Sequence, residues 1–254
     1  MGMDNKVVVV VGADTAVGSA VAREFERENA RVSLVPLQPD GAAPAGAGNG
    51  RHVIPLRGRD WDEPARVMKE IRDRHGRIDV TVFTPRPFAP KSFLALSEEE
   101  WEENEYAVVR LGLRFIQETA RHREAGGEQR IILVLPAHTL MAFQGSSAQS
   151  STCAALETIA RVAAVDLGPH NIKVNCVVYG WTHAQRHMMY EIPPEKAHLV
   201  RDGIPLGRCA DPSEIAGVVK FLAGPQASYV TGATVRADGG YLITRSAGQA
   251  FPEL

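Results

Sequence analysis

The chain has 254 residues, of which 44% are hydrophobic and 23% charged, and its formal net charge is −2. That is enough chain for one α/β domain with a sizeable core. With no basic stripe and no acidic tail, the sequence argues against nucleic acid as a partner; its longest aliphatic run, Val7 to Val11, is far too short to cross a bilayer, which argues against a membrane partner.

Lys6 to Val11 reads as a first buried strand, followed by a glycine turn and a helix over Val17 to Asn29. Arg31 to Val35 reads as the second strand. Residues 38–51, rich in Gly, Ala and Pro, read as a flexible surface loop, because the α/β alternation resumes directly after them. His52 to Leu56 is the third expected strand, Pro64 to His75 a helix and Asp79 to Phe83 the fourth strand. Glu98 to His122 is expected to be one long amphipathic helix, with Glu98, Glu99 and Glu100 in its first turn, where negative charge suits the helix dipole. Arg130 to Leu135 reads as a strand, Thr152 to Leu167 as a helix and Lys173 to Val178 as a strand. Pro212 to Leu222 reads as a helix opened by Asp-Pro, and Thr234 to Ala237 as a final short strand. Such alternation predicts a single α/β domain over residues 1–254, a doubly wound parallel sheet of about seven strands flanked by helices, with residues 243–254 as a C-terminal tail.

Three cysteines, Cys153, Cys176 and Cys209, lie far apart with no Cys-x-x-Cys spacing. They read as thiols, and neither a disulfide framework nor a metal site is expected. The Val7 run has no cationic region before it and no small-residue cleavage site after it, so no export signal is expected there and the expected location is cytoplasmic.

The segment from Gly203 to Gly240 (GIPLGRCADPSEIAGVVKFLAGPQASYVTGATVRADGG) resembles the short-chain dehydrogenase/reductase family almost residue for residue. Cys153 to Asn175 is similar to that family's central helix and following strand, His75 to Val80 to its lead into the fourth strand, and the first strand, glycine turn and helix to its N-terminal unit. The resemblance covers about residues 5–242 and implies a Rossmann-like fold, a nicotinamide cofactor and oligomers built on the two long helices and the C-terminal segment.

The same resemblance shows what is missing. The family's proton donor is a tyrosine whose pKa is lowered by a lysine one helical turn later, with a serine on the preceding strand holding the substrate oxygen. Those positions fall on Gln149, Cys153 and Pro136, and none of the three side chains can take over its role. Tyrosine occurs only at 106, 179, 190, 229 and 241, and no lysine lies between Lys91 and Lys173. Tyr106 and Arg110 have the spacing that halohydrin dehalogenases use, but on another helix, where a solvent or interface face is the expected role. The relay asparagine maps to Val108. The glycine turn keeps Gly12 and Gly18 but has Ala16 in the middle, where a methyl would crowd the pyrophosphate. Pro36 and Leu37 replace the ribose reader and Arg57 the adenine contact. Phe83 to Arg86 replaces the Asn-Asn-Ala-Gly turn, and Tyr179-Gly180 a Pro-Gly. Arg57, Arg86 and Phe83 are expected to fill the former groove.

Scaffold segments match while pocket positions depart. This pattern implies a non-catalytic subunit, similar in kind to the inactive subunit of hetero-oligomeric members of the family. Such a subunit assembles with a catalytic paralogue, expected as a heterotetramer, or else as a homo-oligomer, and binds NAD(P) weakly or not at all. Alternatives stay open: non-redox chemistry in the old pocket drawing on His138, Gln149, Cys153, Arg86, His183 and His187, a ligand sensor, or an oxidoreductase with an unfamiliar proton donor.

Overall fold

The computed structural model describes residues 2–37, 51–183 and 197–244. Loop residues 38–50 and tail residues 245–254 lie outside them. Seven parallel strands form one sheet in the order β3-β2-β1-β4-β5-β6-β7. They are β1 (Val7–Val11), β2 (Arg31–Val35), β3 (His52–Val53), β4 (Val80–Phe83), β5 (Gln129–Pro136), β6 (Ile172–Tyr179) and β7 (Thr234–Ala237). The helices are α1 (Ala16–Arg27), α2 (Glu63–His75), α3 (Glu98–Asn104), α4 (Leu111–Arg121), α5 (Ser147–Leu167), α6 (Ala197–Asp202) and α7 (Pro212–Ala223).

A run of five valines can be a strand only where both sheet faces are covered. That is the situation of β1. Val7, Val9 and Val11 enter a core with Phe115, Leu133 and Leu156, beneath α2, α4 and α5. Val8 and Val10 enter the opposite core with Phe25, Ile215 and Val219, beneath α1 and α7. At the other end of β1, buried Asp79 accepts from the Val7 N–H at 2.8 Å and pairs with Lys6 at 3.2 Å, which sets where β1 and β4 begin. Among the described residues no helix is long and apolar enough to cross a membrane.

Three expectations change. The third strand stops at Val53, soon before Pro55, which has no N–H to continue the ladder. The helix expected from Thr152 begins at Ser147, so that Gln149 is helical. Its polar start is tolerated because the hydroxyls of Ser151 and Thr152 donate back to the Ser147 and Ala148 carbonyls at 2.7 and 2.8 Å. The long helix from Glu98 is divided by a π turn over Glu105–Arg110. Its start is as expected: Ser97 and Glu100 form a capping box.

Gly12 has a φ of 82°, and a Cβ there would overlap the Thr84 carbonyl. Replacing Gly12 by Ala should therefore lower the unfolding free energy by at least about 2 kcal/mol, read from urea denaturation.

Candidate functional site

Because all strands run one way, the loops after β1, β4, β5 and β6 meet at one edge, where the strand order reverses between β1 and β4. The turn after β1 is anchored there by Gly12 N–H to the Val35 carbonyl (2.8 Å), and Thr84 N–H donates to the Val11 carbonyl (3.0 Å). Thr15 caps α1: its hydroxyl donates to the Gly12 carbonyl at 2.8 Å and accepts from Gly18 N–H at 2.9 Å. Ala16 is the first residue of α1 and is half-buried. Asp14 reaches from this turn to the end of β2, where its carboxylate accepts from Leu37 N–H at 2.9 Å. Pro36 is buried and the Leu37 side chain packs against the core.

The three expected groove fillers go elsewhere. Phe83 is fully buried in the core, where its strand alternation sends it. Arg86 pairs with Glu103 at 3.4 Å and lies over the Phe88 ring. Arg57 is exposed, and its backbone N–H donates to Glu63 at 2.7 Å.

The loop after β5 and the start of α5 bring the triad positions together. Pro136 ends β5 and is buried. Thr139 donates to the Pro136 carbonyl at 2.7 Å and lies in hydrogen-bond contact with the Cys153 thiol. Gln149 stands one turn before Cys153, and Val108 is fully buried on the π turn. Burial pushes the Cys153 thiol up to about 12, so the nucleophile considered for this position carries no thiolate near neutral pH. His138 lies in the same loop, its ring 4.5 Å from that of Phe143, and burial pushes its pKa down to about 4. It is a neutral imidazole at pH 7.

His138 and Gln149 line a cavity of about 320 Å³ with Asn104, Phe88, Pro90 and Leu96. Lys91 and Glu100, 2.8 Å apart, also line it. His138 and Gln149 are candidates from the sequence, whereas Asn104 emerges only from the structure. The available signal was its position one turn before Val108 on the same helix. His183 is exposed and its N–H donates to the Ala210 carbonyl, whereas His187 lies outside the described residues. Among the described residues no three potential metal ligands cluster. Tyr106 is half-buried and does not pair with Arg110. It donates to the Gly58 carbonyl at 3.2 Å beneath the Arg59 guanidinium, while Arg110 pairs with Glu105.

The chain matches the family model described as enoyl-(acyl carrier protein) reductase over residues 12–242, and it belongs to the short-chain dehydrogenase/reductase family. It is 29% identical over 253 residues to meso-2,3-butanediol dehydrogenase of Serratia marcescens, covering 98% of each chain. It is 27% identical over 250 residues to the 3-oxoacyl-(acyl-carrier-protein) reductase of Vibrio cholerae, covering 96% of this chain and all of that one. A crystal structure of a dehydrogenase/reductase from Sinorhizobium meliloti superposes with a TM-score of 0.83 at 28% identity, over 94% of this chain and 96% of that one. These relatives are oxidoreductases by name, which weighs toward the family's nicotinamide cofactor and against the expectation that none binds.

His138 has a folded pKa below its unfolded value near 6.5, so the unfolded chain binds the extra proton. Its contribution is complete above about pH 6.5 and is lost as the pH falls toward 4, amounting to about 2 kcal/mol at about pH 5. Urea unfolding compared at these pH values should show a shallower acid loss in His138→Gln. Cys153, Cys176 and Cys209 are all buried, so a thiol reagent such as dithiobis-nitrobenzoate should label none of them without denaturant.

Proposed function

We propose that the chain is a non-catalytic subunit of the family, assembling with and stabilising a catalytically active paralogue in a hetero-oligomeric, NAD(P)-dependent alcohol or hydroxyacyl-CoA dehydrogenase of the cytoplasm. The observation that carries this reading is the trio at the end of β5 and the start of α5. Gln149 has no titrating proton, Pro136 has no side-chain donor, and Cys153 is a buried thiol pushed up to about 12. Replacing a phenol with a lowered pKa by an amide removes the acid–base step that gives the family its alcohol chemistry.

The cofactor groove supports the same reading. Asp14 sets a carboxylate on the turn where the family's pyrophosphate approaches, and its bond to Leu37 N–H ties that turn to the end of β2. Ala16 adds a methyl at the first position of α1. These residues do not fit a dinucleotide. Assembly is supported by α5, whose Val162 and Val165 are 56% and 76% exposed, beside an apolar groove shared with Leu113 and Ile116 of α4. A helix face of this kind suits a partner helix pair.

A second reading is non-redox chemistry in the cavity. It draws on His138, which is neutral and stands beside Gln149. Turnover of any substrate that disappears in His138→Ala would replace the first reading with this one.

The test has two parts. Fluorescence titration of the isolated chain with NADH and NADPH should show no saturation below about 1 mM, the upper end of ordinary Michaelis constants, and no alcohol oxidation should be detectable. Affinity purification from the chain's own host should yield a family member that retains Tyr-x-x-x-Lys, and Val162→Glu should release it while leaving the unfolding midpoint of the isolated chain unchanged. Tight nucleotide binding with turnover, or a saturated homotetramer that excludes such a paralogue, would overturn the reading.

A further inference from the structure

We infer that the cavity beside Gln149 is a binding site for an uncharged carboxamide carried on a small apolar body. The inference rests on Gln149 being a binding group and not a proton donor, as proposed above.

The ligand class follows from what the cavity offers. Its walls are largely apolar, from Phe88, Ala89, Pro90, Leu96 and Ala148, and about 320 Å³ admits a ligand of one ring and a short substituent. Gln149 is 5% exposed, yet among the described residues its side-chain amide has no hydrogen-bond partner. The amide is open to the cavity, where a ligand can supply the partners the protein does not. Asn104, also 5% exposed, lines the same cavity. Its Nδ2 donates to the Glu100 carbonyl at 2.8 Å, while its Oδ1 is buried without a partner. The hydroxyl of Ser146 is already used by Phe143 and Ser150. On the cavity wall the unmet groups are therefore the carbonyl oxygen and NH₂ of Gln149, with the Asn104 Oδ1 buried behind the surface. A primary carboxamide answers that set, with two N–H donors and one acceptor in a plane.

Charge is excluded on the same grounds. His138 is neutral at pH 7. At the rim, Lys91 is paired with Glu100 at 2.8 Å, and Glu103 is paired with Arg59 and Arg86. A carboxylate would meet the carbonyl oxygen of Gln149, and among the described residues of the cavity wall the cation, Lys91, is already paired. An ammonium would leave water for a cavity whose Glu100 and Glu103 are already paired, while Glu99 at the rim is exposed to water and offers only a screened attraction. An uncharged amide loses least on leaving water.

Benzamide, benzoate and benzylamine share one apolar ring and differ in the head group. Each is titrated into the full-length protein, with binding read from backbone amide chemical shifts. Benzamide should bind at least 10-fold tighter than the other two, with shifts at Phe88 to Asn104 and His138 to Gln149. Gln149→Leu should weaken benzamide at least 10-fold, and Gln149→Glu, of the same shape, should reverse the preference toward benzylamine. Thermal unfolding of both variants confirms that they fold. Equal or tighter binding of benzoate or benzylamine to the unaltered protein, shifts centred on the Gly12 turn, no effect of the two folded variants, or no binding of benzamide would each overturn the inference. Nicotinamide turnover by the isolated chain would instead overturn the subunit reading, so the two failures are separable.

Discussion

Every strand of the sheet points the same way, and the molecule's organisation follows from that constraint. A parallel strand cannot return by a tight turn, so each connection crosses a face as a helix, and both faces become buried. Five valines in β1 satisfy that requirement by dividing between two cores. The same direction sends the loops after β1, β4, β5 and β6 to one edge, so that residues more than 130 positions apart, Gly12 and Gln149, belong to one region of the surface. Pocket chemistry at that edge can change without disturbing the packing beneath it.

Two parts of the edge differ in what they offer. On the β1 side, Ala16 opens α1 and Asp14 links the turn to the end of β2 through Leu37. The β5 side is a cavity. The cavity there holds two amides, Gln149 and Asn104, and a neutral imidazole, His138, with Lys91 and acidic side chains toward its rim. Membership of an oxidoreductase family fixes the scaffold on which both parts are read.

The fold was largely legible because period and composition act locally. The Val7 run, the Asp211-Pro212 helix start and the capping residues Ser97 and Glu100 each specify their element within a few residues. Element ends were less legible where a single group decides them, as with Pro55 after β3 or the back-bonding hydroxyls of Ser151 and Thr152. The position of Pro136, Gln149 and Cys153 around one loop followed from the family resemblance of β5 and α5. What spacing could not give was the direction of side chains from distant segments. Phe83 turned inward because its place in β4 sets its face, and Arg86 turned to Glu103, an acid 17 positions away. Asn104 joined the cavity only because α3 lies against α5.

The π turn between α3 and α4 has a consequence for length variation. Each residue added to an α-helix rotates everything beyond it by about 100°, which would turn Phe115 and Ile116 out of the core. A π turn absorbs one extra residue over nearly the same rise, so α3 and α4 keep their faces although the segment between them is overfull. The helix thus holds a slack of one residue within 105–110. A shortening there is geometrically neutral, whereas the same deletion a turn later would dislodge the helix that forms one wall of the exposed apolar groove.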